Sequence, residues 1–95
     1  MGFEWLNKQG VRSSDGYAVQ SVGRYEIEYR EGSSIISIEV DPGIADSGQS
    51  CLSVNPSSFE RWVDGLPIEE SKQSIIRQRF KDAMRFQDIE VVFYP

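Results

Sequence analysis

The stretch GRYEIEYREGSSIISIEV, residues 23–40, decides the fold of this 95-residue chain. Apolar and polar side chains alternate on either side of Glu31-Gly32-Ser33, and the alternating apolar residues are Tyr25, Ile27, Tyr29, Ile36, Ile38 and Val40. A period of two is typical of a strand with one buried face. Because the central Glu-Gly-Ser is a hairpin turn signal, the stretch predicts two antiparallel strands.

Weaker strand patterns lie on both sides of this hairpin. Short apolar runs predict strands at residues 17–22, 51–54 and 89–94. Asp41-Pro42-Gly43 is turn chemistry, so residues 41–50 are predicted to form a loop. Residues 1–15 show no clear periodicity beyond a turn near Gly16.

One long helix is predicted over residues 68–86. Its apolar side chains fall within half a turn of a helical wheel, and they are Ile75, Ile76, Phe80, Ala83, Met84 and Phe86. Glu69 and Glu70 near the start and Arg85 near the end suit the helix dipole. The predicted fold is therefore a single α+β domain over residues 1–95: a four- to five-stranded, mainly antiparallel sheet with one long helix packed on one face.

The expected core follows from these faces. It comprises Tyr25, Ile27, Tyr29, Ile36, Ile38, Val40, Ile76, Phe80, Ala83, Met84, Val91 and Phe93. Trp62 follows Phe59 by three residues in SSFERWVDGLP, residues 57–67, which predicts a short helical turn capped by Ser57 or Ser58. Trp62 is accordingly predicted to be a buried structural residue rather than a binding residue.

Composition limits the possible functions. The net charge is −5, which disfavours nucleic acid and favours a basic protein partner. Histidine is absent, and no phosphate-binding glycine motif occurs, so neither an enzyme, a cofactor nor a metal site is expected. Asp41 and Asp46 do not have the spacing of a calcium loop. Cys51 is the single cysteine, which fits a reducing cytoplasmic location, and no apolar run is long enough to cross a membrane.

The face of the sheet away from the helix is the candidate partner-binding surface. Its predicted residues, with the adjoining loop, are Glu26, Glu28, Ile35, Glu39, Asp41, Asp46, Glu90, Val92 and Tyr94. The alternatives stay open: Glu26 and Glu28 are also compatible with a cation site or with a merely solvated face. Arg79, on the helix, is expected to extend into solvent from the edge of the apolar stripe, and the alternative is that it pairs with a carboxylate of the sheet.

The order of these motifs resembles the immunity protein 74 family of bacterial polymorphic toxin systems. The resemblance lies in GRYEIEYREG (residues 23–32), Ser37-Ile38-Glu39, Ser57-Ser58-Phe59 with Arg61-Trp62, Pro67, the helix and the final Ile89-Glu90-Val91. It implies a small, non-catalytic α+β protein that binds and neutralises a cognate toxin. The alternative is a small-molecule-binding or regulatory module, and free sheet edges leave a homodimer open in either case.

Overall fold

A computed structural model describes residues 2–93. Its strands are β1 Phe3–Asn7, β2 Gly10–Ser13, β3 Tyr17–Gly23, β4 Glu26–Glu31, β5 Ser34–Ile44, β6 Ser50–Val54 and β7 Glu90–Phe93. A 3₁₀ turn, η1, spans Pro56–Phe59, and the helix α1 spans Glu70–Phe86. The α+β class with one α-helix in the described chain is thereby confirmed.

The strands form one curled sheet in the order β1-β2-β3-β4-β5-β6-β7. Strands β1 to β6 are antiparallel neighbours, and β7 returns parallel to β6 after α1. The expectation of four to five strands was wrong, because β1 and β2 lie in residues 1–15. Their alternation is hard to detect, since β1 has five residues and β2 only four.

Strand β5 holds the two parts of the sheet together. Its first half pairs with β4 from Ser34 to Glu39, and its second half pairs with β6 from Val40 to Ile44. The predicted loop at residues 41–50 was therefore wrong at its start. Pro42 is tolerated because this half of β5 has a strand neighbour on one side only, so the missing N–H breaks no ladder.

The core lies between the inner face of the sheet and α1. Its buried apolar side chains are Val11, Tyr17, Val19, Ile27, Tyr29, Ile36, Ile38, Val40, Leu52, Val54, Phe59, Ile68, Ile76, Phe80, Ala83 and Met84. Val91 and Phe93 are half-buried against it. The prediction for Tyr25 was wrong: it lies in the β3–β4 turn and is 56% exposed. A register shift between Ser21 and Gly23 breaks the alternation just before it.

The segment after η1 covers the free edge of the first half of β5. The Val63 N–H donates to the Ile35 carbonyl at 2.8 Å, and the Ile68 N–H donates to Glu60 at 2.9 Å. Asn55, rather than a serine, caps η1 through its side chain. Trp62 is half-buried against the core, less deeply than the sequence predicted, whereas Phe59 is fully buried between Phe80 and Phe93.

Truncating the two aromatic residues should therefore destabilise the protein to different extents. Phe59→Ala should lower the free energy of unfolding by about 3–5 kcal/mol, because it leaves a cavity in the core. Trp62→Ala should cost less, about 1–3 kcal/mol, since part of its ring already faces water. Urea unfolding of both variants measures the difference, and a larger loss for Trp62→Ala would contradict this placement.

Candidate protein-binding surface

The outer face of the sheet carries most of the predicted partner-binding residues. Because side chains alternate along a strand, the residues between the buried ones point outward. On β4, β5 and β7 these are Glu26, Glu28, Ile35, Glu39, Asp41, Glu90 and Val92. Tyr94 lies outside the described residues.

Glu26 and Glu39 face each other directly across β4 and β5. The Val40 N–H donates to the Tyr25 carbonyl at 3.0 Å, which makes Glu26–Glu39 a pair without mutual backbone hydrogen bonds. In such pairs the side chains approach closely, with Cα atoms about 4.5 Å apart. Two like charges in this position destabilise a sheet, so the arrangement works against the stability of the free protein.

Each of the two carboxylates has one neutral hydrogen-bond donor. The Ser37 hydroxyl donates to Glu26 at 2.5 Å, and the Asn55 amide donates to Glu39 at 3.0 Å. No salt bridge to either carboxylate occurs among the described residues. Both charges therefore remain available to a cation from outside.

Tyr25 stands beside this carboxylate pair. Two shallow hollows meet at Tyr25 and Glu39: one extends to Glu26 and Ser37, the other to Asp41. We call Tyr25, Glu26, Ser37, Glu39 and Asp41 the acidic patch. Sequence reasoning missed Tyr25 as a surface residue, although Gly23-Arg24 just before it was a signal for a turn.

The remaining predicted residues are less closely grouped. Glu28 lies on the same face, but its carboxylate accepts hydrogen bonds from Arg30 at 2.7 and 3.2 Å and is thereby neutralised. Glu90 pairs with Cys51, and Val92 with Ser53, so both are separated from β5 by β6. Asp46 lies in the β5–β6 turn, seven residues and roughly 20 Å along the strand direction from Glu39.

A second group of charges lies on the inner side, between the sheet and α1. Arg79 donates to Glu31 at 2.9 Å and to the Tyr29 hydroxyl at 3.2 Å, while Lys72 donates to Glu31 at 2.7 Å. The Arg79 guanidinium also lies over the Tyr17 ring, 5.1 Å from its centroid. The expectation that Arg79 extends into solvent was therefore wrong, because its guanidinium pairs with the Glu31 carboxylate of the sheet.

The pKa values of this group are shifted by mutual contact. Burial alone would raise the pKa of Glu31, but hydrogen bonds from Lys72 and Tyr29 and the charges of Lys72 and Arg79 lower it below 4.5. Burial and the hydrogen bond to Glu31 raise the pKa of Tyr29. Shifted pKa values often mark functional sites. Here two cations compensate the Glu31 carboxylate between a strand and the helix, so the group acts as a clamp that holds α1 on the sheet.

Other chemistry is not prominent in residues 2–93. No three Cys, Asp or Glu side chains of this part of the chain are grouped so that they would hold a metal ion. Cys51 is half-buried on β6. Within the same residues, α1 is too short and too polar to traverse a bilayer.

No family model, curated protein or solved structure gives a significant match to the chain. The resemblance to the immunity protein 74 family therefore stays a prediction, and the site has to be judged on its own geometry.

Removing the charge of Glu31 should weaken the clamp in a pH-dependent way. The lowered pKa means that Glu31 stabilises the fold at pH values above 4.5, and that this contribution is lost as the pH falls through the folded-state pKa. Glu31→Gln should therefore lower the free energy of unfolding by about 1–2 kcal/mol at pH 7. The difference from the wild type should shrink as the solution becomes acidic, as urea unfolding at several pH values will measure.

Glu28→Gln is the matched control, because it removes the same charge from β4 on the outer face. Its ion pair with Arg30 is more exposed, so the cost at pH 7 should stay below about 1 kcal/mol. Equal costs for the two variants, or a Glu31→Gln cost that does not change with pH, would contradict the clamp.

Proposed function

We propose that this protein is a non-catalytic immunity protein, which binds a cognate bacterial toxin with a basic surface in the cytoplasm and blocks it by occlusion. The observation that carries the proposal is the acidic patch, in which Glu26 and Glu39 lie side by side next to the exposed Tyr25. Its features match what recognition of a basic protein surface requires.

The carboxylates supply long-range attraction. The chain has an excess of five negative charges, and Glu26, Glu39 and Asp41 concentrate part of it on one face. Complementary charge steers two proteins together and raises the association rate. A lysine or arginine of the partner placed between Glu26 and Glu39 would also relieve their mutual repulsion. Binding would then remove an unfavourable contribution that is present in the free protein.

Tyr25 supplies the contact that charges alone do not. Tyrosine is enriched among the residues that dominate binding energy at interfaces, because it buries a large rigid surface and keeps a polar end. Its ring lies between the two hollows, with the Arg24 guanidinium 5.5 Å from its centroid. An anchor at this position would fix the partner over the first half of β5.

The non-catalytic character rests on the residues present. The sequence has no histidine. The groups with shifted pKa values, namely Tyr17, Tyr29, Glu31 and Arg79, belong to the clamp and hydrogen-bond within the domain. Proton transfer at such mutually paired groups would disturb the packing of α1, which fits a structural role better than a catalytic one.

The first experiment is co-expression with the product of the neighbouring gene, which we expect to end in a toxin domain. The two proteins should co-purify, and this protein should restore growth of a host that expresses the toxin. A neighbouring product that is toxic but neither co-purifies with this protein nor is neutralised by it would overturn the function itself.

Two variants then test the surface. The double change Glu26→Lys, Glu39→Lys should slow association with the toxin by about tenfold at low salt and reduce its salt dependence. Its free energy of unfolding should stay within about 1 kcal/mol of the wild-type value, because two lysines repel each other across β4 and β5 as the two glutamates do. Tyr25→Ala should instead raise the dissociation rate by about tenfold or more. Stopped-flow kinetics and urea unfolding provide the two measurements.

The control is Asp15→Lys, Glu69→Lys, which makes the same change in net charge at exposed sites outside the patch. If the control slows association as much as Glu26→Lys, Glu39→Lys does, net charge rather than the acidic patch governs recognition. If neither patch variant changes the kinetics while binding persists, the toxin docks elsewhere.

A further inference from the structure

A cleft of about 600 Å³ opens at one end of the curled sheet, on the inner side. One wall comes from the β1–β2 turn at Lys8 and Gln9 and from the end of β3 at residues 21–24. The opposite wall comes from β5 and β6, and the end of α1 closes the base. Its volume lies in the range of about 300–1,000 Å³ that is usual for small-molecule sites.

The floor of the cleft is apolar. It is formed by the ends of core side chains, namely Ile27, Val40, Leu52 and Met84, together with Ile89. These residues come from the sheet, from the helix and from the segment after it, so the floor is built by packing and does not depend on a loop. An apolar floor below a few polar groups is the usual composition of a ligand site.

The charge of the cleft is opposite to that of the protein. Among the described residues that line it, Lys8 and Arg24 are the only charged ones and none carries a carboxylate, whereas the whole chain has a net charge of −5. Three of the last carbonyls of α1 already accept hydrogen bonds: Ala83 from the Gln87 side chain, Met84 from the Ile89 N–H at 2.9 Å and Arg85 from the Asp88 N–H at 3.0 Å. Charge complementarity therefore favours an anion.

We propose that this cleft binds a small amphipathic carboxylate. Its carboxylate would pair with Lys8 and Arg24 at the rim, and its aliphatic tail would cover the floor at Ile27, Leu52 and Met84. This inference rests on the lining of the cleft and does not depend on the immunity function, although Arg24 at the rim also contacts Tyr25 of the acidic patch, with its guanidinium 5.5 Å from the ring centroid.

Three probes with the same tail test the proposal: octanoate, 1-octanol and octyltrimethylammonium, each titrated into the ¹⁵N-labelled protein. Octanoate should shift the amide resonances of Lys8, Gln9 and residues 21–24, and it should bind at least about fivefold more tightly than 1-octanol. Octyltrimethylammonium should bind most weakly. Along butanoate, hexanoate and octanoate, each buried methylene should strengthen binding by up to about fourfold.

The double variant Lys8→Gln, Arg24→Gln should lose at least about fivefold in octanoate affinity and leave 1-octanol binding unchanged. Arg77→Gln, Arg85→Gln is the matched control, since it removes the same charge from the helix surface outside the cleft and should bind octanoate as the wild type does. Four outcomes would overturn the proposal: shifts centred away from the cleft, equal binding of the three probes, a series without tail dependence, or a Lys8→Gln, Arg24→Gln variant that binds octanoate like the control.

Discussion

The pairing of β5 with two different neighbours is the constraint on which the rest of the structure depends. The partner of β5 changes from β4 to β6 between Glu39 and Val40. At this point the Glu39 N–H, which has no strand partner, donates to the Ser58 hydroxyl, and the Glu39 carbonyl accepts from the Asn55 N–H. The η1 segment thus pairs both backbone groups of Glu39, and its position places Phe59 in the core. The curl of the sheet and the position of Phe59 in the core both depend on this change of partner.

The parts of the fold that could be predicted are those with strong periodicity. Alternation in β4 and β5 and the apolar stripe of α1 placed Ile27, Ile38 and Phe80 correctly in the core. The failures have local physical causes. A period of two needs several repeats to stand out, which four-residue β2 does not offer. Pro42 is typical of a turn, so the sequence predicts a break in the strand there. A strand is possible at Pro42 because this half of β5 has a strand neighbour on one side only, which is visible in the folded structure but not in the sequence.

The candidate site also has features that could be predicted from the sequence and features that could not. The outward direction of Glu26, Glu28 and Glu39 follows from alternation alone, so it was predictable. The pairing of Glu26 with Glu39 depends on the register of two strands, and a shift of one residue would have changed it. Tyr25 was misplaced because the irregularity in β3 ends the alternation before the turn. The partners of Arg79 could not be chosen from sequence, since Glu31 is forty-eight residues away and only the packing of α1 brings them together.

The fold compensates the charge of Glu31 but not the charges of the Glu26–Glu39 pair, and this contrast bears on the roles of these residues. Glu31 is half-buried, and its carboxylate accepts hydrogen bonds from Lys72, Arg79 and the Tyr29 hydroxyl. Its charge is therefore compensated where desolvation would otherwise be costly. Glu26 and Glu39 are exposed and adjacent, and among residues 2–93 their carboxylates accept hydrogen bonds only from the Ser37 hydroxyl and the Asn55 amide. Requirements of stability account for the first arrangement, because it holds the helix on the sheet. They do not account for the second, since a serine or a lysine at either position would relieve the repulsion without touching the core. A like-charge pair that folding does not need is what a surface selected for a basic partner would retain.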